Sequence, residues 1–187
     1  HIFVESPMMY EKLRPFYKNI SIAFGVDTDL FQPREEKKVF DVFFPATYSP
    51  WKRQNLFSQA TEGLKAVSCG TIQPDGINLF LECERRGVYA LSGLMPTKAV
   101  SLLYNMSKVG VITSWHGSER SALEILSSGL PLVITKDNEL VISLVKDHAI
   151  IVEPNPDDIR KGIELALKQK TNERKWVIEN YSHKIYA

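Results

Sequence analysis

The sequence predicts an α/β protein built on a doubly wound parallel sheet of about six strands. Three observations carry that reading. Six apolar runs of four to six residues, rich in Val and Ile, recur between Val39 and Val152. They are mostly continuous rather than alternating, which is how strands buried on both faces read. Amphipathic segments long enough for crossover helices separate them, and strict strand–helix alternation implies right-handed βαβ units.

Residues 1–38 are a mixed preamble. Ile2 to Val4 is a short apolar run; Pro7 and Pro15 punctuate a helical stretch at Met8–Arg14, and Ile20–Phe24 reads as a short strand. Gly25–Pro33 is a turn-rich link, and the charged cluster Arg34–Lys38 reads as an exposed connection. The predicted strands then follow at Val39–Phe44, Ala66–Cys69, Val88–Leu91, Val109–Thr113, Pro131–Thr135 and Ala149–Val152. The predicted crossover helices are Lys52–Lys65, Asp75–Arg86, Thr97–Ser107, Glu119–Ser128 and Glu139–Lys146, with Pro156–Gln169 and Asn172–Tyr186 closing the chain. No internal repeat or low-complexity tract interrupts them.

Composition bounds the function. With 44% hydrophobic and 24% charged residues over 187 positions, disordered and collagen-like chains are excluded. Twenty-three basic against 22 acidic residues leave +1, without the cationic excess that non-specific nucleic-acid binding needs. Two cysteines, Cys69 and Cys83, are too few for a zinc site or a disulfide scaffold and suit buried thiols. No signal peptide or 18-residue apolar stretch is readable. The chain opens on His1, in mid-strand, which suggests a segment of a longer protein.

In an open parallel sheet, ligands sit beyond the carboxyl ends of the strands, at helix N-termini that offer free N–H groups. The richest such segment runs from Ser114 to Pro131. Gly117 and Ser118 supply a flexible residue and an N-cap, and Glu119 complements the helix dipole. Ala122, Ile125, Leu126 and Gly129 form the packing stripe, and Glu124 falls beside it. Glu124 lies six residues past Ser118, roughly 9 Å along the axis, about the span from a diphosphate to its ribose. A solvated helix glutamate and a ribose-binding carboxylate are both open readings at this point. Trp115, at the strand end, either stacks a base or sugar ring or covers the sheet edge. Leu94 and Met95 follow the third strand and flank any ring bound there, and Gly70-Thr71 is a lesser phosphate-loop candidate. Lys136-Asp137-Asn138 reads as a helix cap, and His148 and His183 as structural. No glycine-rich Walker or G-x-G-x-x-G loop occurs, and the second glycine of a serine-hydrolase nucleophile elbow is missing after Ser118.

These residues together resemble the GT-B glycosyltransferases, in particular the large family-4 group of retaining nucleotide-sugar transferases. Ser114, Gly117, Leu123-Glu124, Gly129, Pro131 and Leu132-Val133 stand in register with that family's donor-binding motif. Gly25-Val26-Asp27 with Phe31 and Pro33 is similar to its inter-domain element. Lys52, Leu56 and Ala60 resemble its lysine-bearing first crossover, Gly93–Pro96 with Leu103-Tyr104 the stretch before the motif strand, and Val152–Pro154 its Val-x-Pro.

The resemblance implies a nucleotide-sugar-binding, Rossmann-like domain over residues 39–187. Residues 1–38 would be the inter-domain linker and the end of an N-terminal domain that lies upstream. By the same resemblance Glu124 matches the ribose-binding glutamate and Lys52 the lysine that meets the donor diphosphate. Gly117 and Ser118 supply amides to that diphosphate, and no metal or other cofactor is expected. His116 replaces the first motif glutamate, which contacts the transferred sugar; Thr47 replaces the arginine that accompanies the lysine, with Arg53 the nearest substitute. Ser118-Glu119 replaces an aromatic-Gly pair. The implied partners are a nucleotide-sugar donor and, through the other domain, a glycan or lipid-linked glycan acceptor, in the cytoplasm or at the inner face of a membrane. A donor-binding domain that has lost catalysis, a GT-B-fold epimerase and a flavodoxin-like interaction module are the alternatives.

Overall fold

A computed structural model describes residues 1–4, 7–169 and 171–185. It begins with β1 (Ile2–Val4), α1 (Pro7–Leu13) and β2 (Ile20–Ile22), whose two strands pair in parallel. The main body runs β3 (Phe40–Pro45), α2 (Gln54–Ala60), β4 (Ala66–Gly70), α3 (Ile77–Arg85), β5 (Tyr89–Ser92) and α4 (Thr97–Asn105). It continues with β6 (Ser107–Ile112), α5 (Glu119–Ser127), β7 (Leu132–Thr135), α6 (Glu139–Val145), β8 (Ile150–Val152), α7 (Pro156–Ala166) and α8 (Glu173–Tyr181). The six strands from β3 onward form one parallel sheet in the order β5-β4-β3-β6-β7-β8.

The continuous apolar runs explain the two-sided burial. Along β3, Val42, Phe43 and Phe44 are all fully buried, yet successive side chains point to opposite faces. Phe43 enters a core with Tyr104, Leu123, Ile125, Val141 and Val177, on the face covered by α4, α5, α6 and α8. Val42 and Phe44 enter the other, with Phe57, Cys83, Ile159 and Ile163 from α2, α3 and α7. After β5 the chain crosses back through α4 to lay β6 beside β3, so the strand order reverses between those two strands. That switch point fixes where a cleft opens.

Two expectations need correction. The predicted helix Lys52–Lys65 is a turn of 3-10 helix at Pro50–Lys52, a left-handed Arg53 (φ 55°), and only the short α2. Helix pairing restarts after Arg53 and stops at Thr61, whose hydroxyl donates to the Phe57 carbonyl (2.8 Å). Ser107 opens β6 instead of ending the preceding helix, and its hydroxyl donates to Leu103 O (2.7 Å). The link Gly25–Pro33 is turn-rich as expected and is also tied down: Val26 N donates to Tyr181 O (2.8 Å), His183 N to Val26 O (3.0 Å), and Val26 and Phe31 are each 2% exposed. Residues 34–38 are exposed as expected, and so is Val39, which the sequence placed in the first strand. The last residue of the predicted helix Asn172–Tyr186 lies outside the described residues. Among the described residues, no helix is long and apolar enough to cross a membrane.

Candidate functional site

A cleft of about 350 Å³ opens at the carboxyl ends of β3, β4, β5 and β6. Thr47 and Lys52 line it after β3, Gly70 and Thr71 after β4, Gly93, Leu94 and Met95 after β5, and Ser118, Ser121 and Glu124 from α5. Two loops meet at its narrow end. Thr113 Oγ1 donates to Lys52 O (2.9 Å), and Trp115 N donates to Trp51 O (3.1 Å), so the β6–α5 loop is held against the residues carrying Lys52.

Gly117 (φ 70°) and Ser118 (φ 79°) both adopt the left-handed region, which glycine enters freely and serine at a cost. The Gly117 backbone passes so near Lys52 that a Cβ there would lie 3.3 Å from Nζ. Ser118 occupies the N-cap of α5, but its hydroxyl caps nothing. It accepts from Lys52 Nζ (2.8 Å) and shares a hydrogen bond with Ser114 Oγ (2.9 Å). The first amides of α5 therefore have no side-chain cap, and the positive end of the helix faces the lysine. Burial depresses the Lys52 ammonium pKa, and Glu119 partly offsets it. Among the described residues no carboxylate stands within ion-pair distance of Lys52.

One and a half turns further along α5, Glu124 enters the same cleft. Burial drives its carboxyl pKa up to about 7, against the Tyr104 hydrogen bond and the Arg120 charge, which pull it down. The Tyr104 hydroxyl donates to Glu124 Oε2 (3.0 Å), leaving Oε1 for another donor. Tyr104 is fully buried and lies edge-on to Phe43 (5.0 Å), so it is a fixed support.

The structure thus brings Lys52, Ser118, Glu124, Leu94 and Met95 together around one cleft, with Gly117 at its lysine end. It does not bring in Arg53. The left-handed backbone turns that side chain away, where Nε donates to Thr113 O (2.6 Å) and the two Nη donate to Asp137 (2.6 and 2.9 Å) and Thr135 Oγ1 (2.8 Å). The expected arginine substitute is a brace across the carboxyl ends of β6 and β7. At Thr47 the Oγ1 shares a hydrogen bond with Thr71 Oγ1 (3.3 Å) instead. His116 lies beyond the lysine end, exposed, its ring parallel to Trp51 (8°, 6.2 Å) and beside Trp115 (6.0 Å). Leu94 is 92% exposed and forms an uncovered flank. Cys69 and Cys83 are free and buried, and burial pushes both thiols to about 12.

Sequence reasoning missed two supporting residues. Tyr104 was part of a helix pattern with no sign of its partner. Asn138 reads as a cap, and it is one, accepting from Val141 N (3.2 Å), yet it also reaches the β6–α5 loop. No group of three or more His, Cys, Asp or Glu able to hold a metal ion occurs among the described residues.

Strand order and cleft position define a Rossmann-like domain of the GT-B type. Residues 26–183 match the family model described as Glycosyl transferases group 1, and the chain belongs to that family. Its fold is similar to a glycosyltransferase from Rickettsia africae (TM-score 0.77, 17% identity), covering 98% of this chain and 59% of that one. It is likewise similar to the C-terminal domain of a group 1 family glycosyl transferase (LpcC) from Francisella tularensis (0.72, 18%, covering 84% and 99%). A third is Anabaena Alr3699/HepE in complex with UDP-glucose (0.79, 16%, covering 98% and 60%). The chain thus spans about three-fifths of two of these proteins, and all of the isolated C-terminal domain. No curated protein matches it at the sequence level.

Proposed function

We propose that this chain is the donor-binding half of a retaining glycosyltransferase that moves a sugar from a nucleoside diphosphate to an acceptor hydroxyl. One observation carries the proposal: Lys52 and the uncapped N-terminus of α5 meet at the switch point, with Glu124 projecting into the same cleft. The helix amides and Lys52 hold the diphosphate, whose charge compensates a partly desolvated ammonium. Glu124 accepts from ribose hydroxyls, and Leu94 and Met95 flank the base. The transferred hexose then lies beyond the diphosphate, near His116 and its Trp51 neighbour. As the bond from the sugar to the diphosphate breaks, negative charge grows on the leaving oxygen, and fixed positive groups stabilise it without a metal. The acceptor, a glycan or lipid-linked glycan in polysaccharide or glycolipid synthesis, is held by a second domain across the cleft, in the cytoplasm or at the inner face of a membrane. This chain alone binds donor without turnover. The UDP-glucose named for the Anabaena protein supports a nucleotide-sugar donor.

A second reading has its own observation. The Thr47–Thr71 hydroxyl pair stands where the family's arginine is expected, which favours a domain that binds a nucleotide sugar without transferring it. Calorimetric titration with UDP, GDP and ADP tests both readings at once, since each requires binding of one of them. Heat with none of the three sinks the functional assignment. Binding that survives Lys52→Ala and Glu124→Ala unchanged sinks the site assignment. Transfer after the amino-terminal half is restored decides between the two readings.

A further inference from the structure

The loop that would receive the diphosphate is held from behind. Asn138, fully buried at the start of α6, donates through Nδ2 to two carbonyls of the β6–α5 loop, Ser114 O (2.8 Å) and Gly117 O (3.0 Å). Both amide protons are thereby used within one loop, while Oδ1 caps its own helix at Val141 N (3.2 Å). Peptide units are planar and trans, so a carbonyl drawn one way sends the N–H of the same unit the other way. With Gly117 O on Asn138, the Ser118 N–H is directed away from Asn138, which is absent from the cleft lining. With Ser114 O on Asn138, the Trp115 N–H is directed the opposite way and meets Trp51 O (3.1 Å) beside Lys52. The second anchored carbonyl belongs to the peptide that joins the two left-handed residues, Gly117 and Ser118, one of them not a glycine, and that pair would relax without it.

Resting on the donor-binding reading above, we propose that Asn138 is a positioning residue for phosphate recognition: it fixes the orientation of the Gly117–Ser118 peptide and so presents its N–H to the donor diphosphate. Its role is specific to the phosphates, because among the described residues its side-chain hydrogen bonds go to Ser114, Gly117 and Val141 and to none of Leu94, Met95 and Glu124. Loss of both Nδ2 donors should weaken diphosphate binding and leave nucleoside binding alone.

Asn138→Asp and Asn138→Ser keep a side-chain oxygen to cap α6 and break the paired donation to the loop: the carboxylate has no donor, and the serine has one O–H on a shorter side chain in place of two N–H. The readout is the ratio of nucleoside to nucleoside-diphosphate Kd, measured by NMR titration with whichever of UDP, GDP and ADP binds, paired with its own nucleoside. The expected result is a roughly tenfold fall in that ratio in both variants, with nucleoside Kd within about twofold, as for one lost charge-assisted contact. Lys136→Ala, on the same turn and paired outward with Glu153, leaves the ratio unchanged. In the unmodified chain the Asn138 side-chain amide signals should be protected from exchange and should move with the diphosphate, not with the nucleoside. An unchanged ratio in folded variants, or amide signals that ignore the diphosphate, overturns the proposal while leaving donor binding intact. A wild-type chain that binds none of the three diphosphates overturns the donor-binding reading and this proposal with it.

Discussion

Glu124 is one carboxyl set to two conflicting tasks. Burial raises its pKa from an ordinary 4.5 to about 7, against the Tyr104 hydrogen bond, which pulls it down. Because the folded pKa is the higher one, the folded state holds the proton more tightly than the unfolded state. Below pH 4.5 both states are protonated and nothing is lost; as pH rises through 7 the buried charge costs about 3 kcal/mol. The ligand-free protein should therefore become less stable between pH 4.5 and 7, and Glu124→Gln should flatten that slope in denaturant titrations followed across pH. A slope retained in the variant assigns it elsewhere. Ribose hydroxyls donate, so they favour the ionised carboxylate and nucleotide binding must release a proton. Apparent affinity should rise about tenfold from pH 6 to pH 8, and that dependence should vanish in Glu124→Gln along with much of the binding. Equal wild-type affinity at the two pH values would count against a ribose role for Glu124.

At the scale of elements, the position of Glu124 depends on how closely α5 lies on β6. A Cβ at Gly110 would sit 2.5 Å from Ile125 Cγ2 and 2.7 Å from Cδ1, inside any allowed contact, and Ile125 is fully buried with nowhere to turn. Gly110→Ala should push the helix outward, costing roughly 1–3 kcal/mol in chemical denaturation and weakening nucleotide binding. Unfolding free energy equal to wild type would mean that the helix rides more loosely than its contacts imply. A glycine inside the run Val109–Thr113 is visible in the sequence as a close approach, but which helix approaches it is not. The same division holds elsewhere. The sheet was legible because residues such as Val42, Phe43 and Val133 are buried on both faces and form unbroken runs. Ser118 and Glu124 were legible because helix spacing places a carboxylate at a set distance from a helix start, whereas Lys52 was singled out only by the family resemblance. Arg53 was not, because its direction depends on a left-handed backbone and on Asp137, 84 residues later. Asn138 was half legible: the cap is local, whereas its hold on Ser114 and Gly117 is made across two βα units.

At the scale of the molecule, the order of the chain is closed by its last helix, and α8 has little apolar grip of its own, with Val177 its one fully buried residue. A cation does much of the fastening. Arg174 donates to Thr28 O (2.9 Å) and Phe31 O (2.8 Å) on the connector and to Ser127 O (2.8 Å) and Oγ (3.2 Å) at the C-terminus of α5. The negative end of the α5 dipole thus meets a guanidinium, while its positive end faces the cleft. Residues 28–31, α8 and α5 are tied together by one side chain. Arg174→Ala strands the Thr28 and Ser127 carbonyls, leaves Phe31 O to the Ser127 hydroxyl alone, and should cost about 2–4 kcal/mol of stability. Hydrogen exchange should then accelerate in residues 26–31 and 173–182 together, more than in the sheet. Nucleotide affinity should change by less than about threefold, because the substitution leaves both walls of the cleft in place. Acceleration confined to α8, with residues 26–31 as protected as before, would mean that the link is held by Val26, Thr28 and Ser182 alone, and that Arg174 does not couple it to α5.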